Sequence, residues 1–164
     1  MAGALPEAHV TYSTTNMSKN IVALGSALLL AARLLGAEGW GTDFEAAKAL
    51  AKKQGQPILL DFTGSDWCGW CIKMKKESLD QKAFTEFAAK NVVLVELDFP
   101  SKKAIPEATK KQNDALKKQY KVNGFPTFVL VDADGKELGR QVGYLRGGPD
   151  AFIAKIGEWN KSGK

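Results

Sequence analysis

Short apolar runs alternate with longer amphipathic stretches over most of this 164-residue chain. Three runs, Ile58–Phe62, Val92–Asp98 and Thr127–Val131, are mainly apolar, which is typical of strands that helices cover on both faces of a sheet. Asp132-Ala133-Asp134-Gly135 is a hairpin-turn signal, so Glu137–Val142 is predicted to return beside the third run. The pattern therefore predicts a sheet of four to five strands.

Amphipathic stretches separate these strands and predict four helices. The first begins at a capping box formed by Thr42 and Glu45 and runs to about Lys53, before Gly55-Gln56-Pro57. The others are predicted, in chain order, over 72–90, 107–120 and 149–160. We expect the second to break near 78–81. The order α-β-α-β-α-β-β-α joins a β-α-β half to a β-β-α half, which indicates an α/β domain with a mixed sheet and helices on both faces.

The first 39 residues follow a different pattern. A short basic segment, Met17–Asn20, precedes the 12 apolar residues Ile21–Ala32, and the small residues Gly36, Ala37 and Gly39 follow. This sequence predicts a secretory signal peptide over 17–39. Because a membrane span needs roughly 20 apolar residues, the run is short for one. An uncleaved N-terminal anchor is the alternative to cleavage.

The same segment suggests the organisation of the whole chain. Residues 1–16 are polar and carry no motif, so we interpret them as an over-extended or disordered N-terminus, with Met17 as the start. Residues 40–164 are predicted to form one domain. Their number suffices for one hydrophobic core and not for two. The predicted location is periplasmic or secreted, or membrane-anchored if the segment is not cleaved.

Composition and charge narrow the class of protein. The chain is 45% hydrophobic and 25% charged, as in an ordinary globular domain, and its net charge is +5. The lysines are spread at helical spacing, which solvated helix faces explain, and no nucleic-acid motif accompanies them. We therefore expect no nucleic-acid partner.

The two cysteines of the chain carry its most informative chemistry. They lie two residues apart in Trp67-Cys68-Gly69-Trp70-Cys71, between a predicted buried strand and a predicted helix. A helix N-terminus favours a thiolate, which is the form of cysteine that attacks a disulfide. We expect Cys68 to be the nucleophile and Cys71, about one turn later, to resolve the mixed disulfide. Gly69 is expected to let the turn tighten without a side-chain clash.

Other interpretations of the cysteine pair remain open at this point. A structural disulfide across four residues would constrain very little chain. A structural zinc site needs four ligands, and the single histidine, His9, lies in the leader. A copper site would need a further histidine or methionine, for which only Met74 is in range, at a position expected for a helix core residue. We therefore expect no metal.

The chain resembles the thioredoxin superfamily in Trp67–Cys71 and in Gly124-Phe125-Pro126-Thr127. The resemblance implies the thioredoxin fold and a cis Phe125–Pro126 bond, with Pro126 packed against the cysteines. It implies that the Phe125 backbone pairs with an extended substrate segment beside Thr127. It also implies that Asp61 is a buried aspartate that moves the proton of the resolving cysteine. Trp67 is expected to shield and orient the cysteine site. Trp67, Gly69 and Trp70 are expected to contact the substrate.

The chain departs from thioredoxin at three places. Gly69-Trp70 stands between the cysteines where thioredoxin has Gly-Pro, so the direction of electron flow is open. Thr63-Gly64-Ser65-Asp66 is one residue longer and is similar to the openings of secreted bacterial thioredoxin-like proteins. The lysine that accompanies the buried aspartate of thioredoxin has no counterpart in Val92–Asp98.

The resemblance implies a thiol–disulfide oxidoreductase that acts on protein disulfides through Cys68 and Cys71, as a reductase in the cell envelope. It implies no cofactor beyond this redox-active disulfide, and an upstream protein electron donor, which the membrane would hold. An oxidase or isomerase of the same fold and a non-catalytic binding module are the alternatives. Isomerases of the family usually carry a dimerisation domain, for which this chain has no room, and this argues against an isomerase. We expect a monomer.

Overall fold

The computed structural model of this chain describes Met1 and residues 39–162. The predicted signal peptide over 17–39 and the predicted over-extended segment over 1–16 lie outside the described residues, apart from Gly39 and Met1 at their limits. Both stay predictions, as does the domain boundary at residue 40. No helix within 39–162 is long and apolar enough to cross a bilayer.

A five-stranded mixed sheet forms the centre of the described part, as predicted. The strands are β1 (Trp40–Gly41), β2 (Ile58–Thr63), β3 (Val93–Asp98), β4 (Thr127–Val131) and β5 (Glu137–Val142), in the spatial order β1-β3-β2-β4-β5. β3 is parallel to both β1 and β2, whereas β4 is antiparallel to both β2 and β5. The strand β1 was missed, because two residues are too few to show a pattern.

Five α-helices and one π-helical turn surround this sheet within residues 39–162. They are α1 (Phe44–Gln54), α2 (Gly69–Met74), the π turn (Lys75–Leu79), α3 (Lys82–Asn91), α4 (Glu107–Gln119) and α5 (Gly148–Ser162). In the π turn the Asp80 N–H donates to the Lys75 carbonyl, five residues back, at 2.9 Å. The break predicted near 78–81 is therefore confirmed.

The start of α1 differs from the prediction. Asp43, not Thr42, is the N-cap, because its carboxylate accepts the Ala46 N–H at 3.0 Å. The predicted capping box of Thr42 and Glu45 was wrong, since the cap lies one residue later and the Thr42 carbonyl instead accepts from Gln112. The predicted end was right, because Gly55 closes the helix in the left-handed region at φ 66°.

Alternation along the strands divides the core into two layers, one on each face of the sheet. On one face Leu60, Phe62 and Val95 pack with residues of α1 and α4. On the other, Leu59 and Phe128 pack with residues of the π turn, α2, α3 and α5. Helices on both faces confirm the predicted fold class. β2 ends next to the cysteine motif, and β4 begins directly after Pro126, so the sheet holds both motifs at one end.

Candidate active site

Cys68 and Cys71 are joined by a disulfide, with their Cα atoms 5.2 Å apart. Cys68 is the N-cap residue of α2, and its Sγ accepts the Cys71 N–H at 3.2 Å. The Cys68 N–H donates to the Gly64 carbonyl at 2.8 Å, which fixes the turn that precedes the helix. The pair thus lies at the predicted junction of strand and helix. No group of three or more potential metal ligands occurs among residues 39–162.

This geometry favours negative charge on Cys68 after reduction. The free N–H groups of a helix start point towards its sulfur, and one of them already contacts Sγ in the oxidised form. Both cysteines are largely buried, with 7% of Cys68 and 4% of Cys71 exposed. A disulfide substrate therefore reaches the sulfur atoms through the surface formed by their neighbours.

The second motif has the predicted cis peptide bond between Phe125 and Pro126. The Pro126 carbonyl accepts the Gly143 N–H at 2.8 Å, so the segment after β5 is fixed beside the proline. Thr127 is buried, and its hydroxyl donates to the Gly124 carbonyl at 2.8 Å, which stabilises the turn before the proline. Substrate contacts of Phe125 and Thr127 stay predictions.

Trp67 directly precedes Cys68 and is held by directed contacts, although half of its surface is exposed. Its Nε1–H donates to the Phe99 carbonyl at 2.8 Å. Its ring meets Phe125 edge to face at 6.0 Å between centroids, and Phe125 stacks on Phe99 at 5.1 Å. The Lys117 ammonium lies 5.2 Å from the Phe125 ring centroid and makes a cation–π contact with this group of aromatic rings.

Trp70 lies between the two cysteines in the chain and is held by ring contacts. It packs on Tyr144 at 5.5 Å between centroids, and the Lys73 ammonium lies 5.5 Å from the Trp70 ring and 5.0 Å from that of Tyr144. The Tyr144 hydroxyl donates to Glu77, which raises the pKa of the tyrosine. Trp70, Lys73 and Tyr144 line part of an open cleft with a volume of about 620 Å³.

Asp61 is buried in the middle of β2, as predicted, with 5% of its surface exposed. Strand alternation places its side chain on the same face as Leu59, the face that α2 and the π turn cover. Glu96 is its register partner on β3. Burial raises the pKa of Asp61 well above its usual value, Glu96 and Asp98 add to this, and Lys75 opposes it. A lysine therefore acts on this aspartate from the π turn rather than from β3.

Comparison with known proteins adds the family to this geometry. The thioredoxin-like domain family matches residues 44–158, which is more than half of the chain. The chain belongs to the thioredoxin-like domain family.

Two relatives of this thioredoxin-like domain come from Chlamydia pneumoniae. The disulfide bond reductase DsbH is 47% identical over 106 residues, which cover 65% of this chain and 63% of DsbH. The thioredoxin-related protein DsbJ is 33% identical over 101 residues, which cover 62% of this chain and 29% of DsbJ. The match therefore spans less than two thirds of the length of either relative. The solved structure of a DsbH oxidoreductase is similar with a TM-score of 0.72 and 36% identity, covering 92% of this chain and 95% of that one.

Two carboxylates that sequence reasoning missed position the loop before the cysteines of this thioredoxin-like domain. Asp98, at the end of β3, accepts the Ser65 N–H at 2.9 Å and the Ser65 hydroxyl at 2.7 Å, and pairs with Lys103 at 2.9 Å. Asp66 accepts three backbone N–H groups, those of Ser101, Lys102 and Lys103. These bonds lower the pKa of Asp66. Acidic residues after strands were the available signal, but the sequence does not show their partners.

The reason given for Gly69 was wrong. A Cβ at Gly69 would meet nothing within 4 Å, so the turn does not require glycine there. Gly64 is the constrained position, because a Cβ would lie 2.5 Å from the Trp67 ring. The indole thus packs over the bare backbone of Gly64. A substrate contact at Gly69 stays a prediction.

Proposed function

We propose that this thioredoxin-like domain is a thiol–disulfide oxidoreductase that reduces protein disulfides in the cell envelope. One observation carries the proposal: the Cys68–Cys71 disulfide lies at the start of α2 with the Cys71 N–H on the Cys68 sulfur. The name of the relative DsbH, a disulfide bond reductase, supports the direction of electron flow. The redox-active group is the cysteine pair itself, with no further cofactor.

The reaction proceeds in two exchanges. The Cys68 thiolate attacks one sulfur of the substrate disulfide, the other sulfur leaves as a thiolate, and a mixed disulfide forms. The Cys71 thiol then loses its proton and attacks the Cys68 sulfur. This step releases the second substrate thiolate and closes the Cys68–Cys71 disulfide. Two electrons pass from the dithiol to the substrate, and each released thiolate takes up a proton.

Asp61 is proposed to accept the proton of Cys71, directly or through one water molecule. Two features support this role. Asp61 and Cys71 are both buried, and Asp61 projects from the sheet face that α2 covers. Because burial raises the pKa of Asp61, its carboxylate is a better proton acceptor than an exposed one. Resolution of the mixed disulfide should then become faster as rising pH removes the proton from Asp61.

Substrate is proposed to bind as an extended segment against the backbone of Phe125, with Pro126 beside the cysteines. The position of Phe125 supports this, since it lies between the Trp67 ring and the start of β4. Trp67, Gly69, Trp70 and Thr127 form the surrounding surface in this proposal. We expect the protein to act as a monomer on disulfide-containing proteins, without nucleic acid.

Residues 17–39 support export, by cleavage to a periplasmic or secreted protein or by retention as an anchor. In an oxidising compartment the dithiol has to be regenerated after each turnover. An upstream electron-donor protein, held in the membrane, is proposed to supply the two electrons, because no soluble thiol buffer keeps the bacterial periplasm reducing.

The test is reduction of insulin by the full chain, compared with Cys68→Ser and Cys71→Ser. The first variant should lose both substrate attack and turnover, because it lacks the nucleophile. The second should still attack but stop at the mixed disulfide, which gel electrophoresis without reductant detects. Full activity of Cys68→Ser would contradict the assignment of the nucleophile.

The equilibrium reduction potential of the pair tests the direction. A value near that of thioredoxin, about −270 mV, fits a reductase, whereas about −120 to −180 mV would indicate an oxidase or isomerase. If no reversible couple forms, the domain is a non-catalytic binding module.

A further inference from the structure

We propose that the cleft beside Trp70 selects substrate segments that carry a carboxylate close to the cysteine under attack. This inference rests on the proposed function, because it names a preference among protein disulfides. The cleft is lined by two cations and by aromatic and backbone surface, namely by Trp70, Lys73, Phe125, Gly143, Tyr144 and Arg146.

The cleft adjoins the site of disulfide exchange. Trp70 lies between the two cysteines in the chain, and Phe125 directly precedes the cis proline. Gly143 is bound through its N–H to the Pro126 carbonyl, which fixes this wall of the cleft. A segment that pairs with the Phe125 backbone therefore has its neighbouring side chains at the cleft. The volume of the cleft, about 620 Å³, is large enough for the side chains of a peptide.

The two cations of the cleft are available to a carboxylate. Arg146 is exposed and makes no ion pair with any residue in 39–162. Lys73 lies over the rings of Trp70 and Tyr144, and its nearest carboxylate oxygen, on Glu77, is 4.0 Å away. Glu77 also accepts the Tyr144 hydroxyl and does not line the cleft. Among residues 39–162, the lining thus has two positive charges and no negative one.

Charge and shape together favour an acidic peptide over an apolar one. An apolar segment would cover Arg146 without a partner, and burying an unpaired charge is unfavourable. A carboxylate can accept two parallel hydrogen bonds from the guanidinium of Arg146 and pair with Lys73. Trp70 and Tyr144 lower the local dielectric on one side, which strengthens both interactions.

The experiment measures oxidation of the reduced full chain by two disulfide-linked peptide dimers. The peptides are identical except that Glu or Gln flanks the cysteine on both sides. Stopped-flow fluorescence follows the reaction through Trp67 and Trp70. Each exposed ion pair contributes little, so two pairs should make the Glu peptide about five- to tenfold faster at low ionic strength. The preference should shrink in high salt.

Three variants separate the cleft from general charge attraction. In Arg146→Gln and in Lys73→Gln the ratio of the two rate constants should fall to about twofold. The matched control is Lys53→Gln, which removes the same charge near Gly55, at the end of β2 opposite to the cysteines. It should keep the full ratio. Arg146 is exposed and makes no ion pair within 39–162, so we expect its replacement to leave the fold intact.

The outcomes are distinct. Equal rates for the two peptides with the unchanged chain overturn the proposal while the proposed function stands. Equal loss of the ratio in Lys53→Gln and Arg146→Gln also overturns it, because long-range attraction then explains the preference. Failure of both peptides to oxidise the dithiol contradicts the proposed function and this inference together.

Discussion

The surroundings of Trp67, here called the loop side, and those of Trp70, here called the cleft side, are built differently. On the loop side, Gly64–Trp67 is tied by directed hydrogen bonds to the end of β3 and to the segment after it, 99–103. On the cleft side, Trp70, Lys73 and Tyr144 meet through ring contacts, and Arg146 lines the same open surface. Each side has an exposed tryptophan next to a cysteine in the chain.

The difference indicates that the two sides have different roles, one structural and one in substrate recognition. Hydrogen bonds have narrow angular limits, so the loop side holds the turn before Cys68 in one geometry. Ring stacking and cation–π contacts tolerate displacement, so the cleft side can adapt to different substrate side chains. We therefore expect changes on the loop side to alter stability and the redox pair. Changes on the cleft side should alter which substrates react.

The largest expected effect comes from Asp98→Ala. The change removes a buried carboxylate that binds the Ser65 N–H, the Ser65 hydroxyl and Lys103. We expect a loss of about 3 kcal/mol in the free energy of unfolding, because charge-assisted bonds to a buried group are strong. The counterpart on the cleft side is Glu77→Ala, where an exposed carboxylate is removed and the loss should stay below about 1 kcal/mol. Urea unfolding measures both, and equal losses would remove the distinction between the sides.

Gly64→Ala and Gly69→Ala form the second test. A methyl group at Gly64 collides with the Trp67 ring, so we expect a loss of about 1–3 kcal/mol and slower insulin reduction. At Gly69 the added methyl group meets nothing within 4 Å, and alanine is the better helix former, so stability should be unchanged or slightly higher. Thermal unfolding of the two variants side by side decides this. A more stable Gly64→Ala variant would show that Trp67 moves freely.

A smaller effect is expected from the two tryptophans. Trp67→Phe loses the hydrogen bond to the Phe99 carbonyl, which should cost about 1 kcal/mol of stability. Trp70→Phe keeps an aromatic ring against Tyr144 and loses no hydrogen bond in the described part of the chain, so its stability should change by less than about 0.5 kcal/mol. Guanidinium unfolding curves provide the measurement. The comparison fails if Trp70→Phe is the more damaging of the two.

The smallest expected effect is the pH dependence of the stabilisation that Asp66 provides on the loop side. Backbone N–H groups lower the pKa of Asp66 in the folded state. Its stabilisation is therefore complete above the unfolded pKa of about 3.9 and is lost as pH falls through the folded pKa. Asp66→Asn should be less stable than the unchanged chain above about pH 5 and should approach it on acidification. Unfolding free energies across this range test the sign. A difference that stays constant with pH would contradict it.

Most strands and helices and both motifs could be predicted from the sequence. β4 and β5 were predicted with the bounds that the structure shows, because apolar runs and the Asp132–Gly135 turn mark them locally. The cis bond before Pro126 followed from resemblance. The burial of Asp61 followed from the same resemblance.

The supports of the site could not be predicted, because they join residues far apart in the chain. Ser65 meets Asp98 across 33 positions, and Asp66 meets Lys102 across 36. Gly64 and Gly69 are alike in sequence, and only the position of the Trp67 ring shows which one needs to be glycine. β1 was missed because it has two residues and pairs with β3, more than fifty positions later.

The π turn at Lys75–Leu79 changes the angular phase of the helix that carries the cysteines. Its bond from Asp80 to Lys75 closes over five residues, where an α-helix would close over four. One surplus residue rotates everything beyond it by about 100° relative to an uninterrupted helix. The side chain of Cys71 can therefore be oriented for disulfide exchange while that of Leu79 packs in the core, because the α-helical phase does not link the two orientations. Deleting a single residue of this turn would bring the two ends back into one phase and set their orientations in conflict.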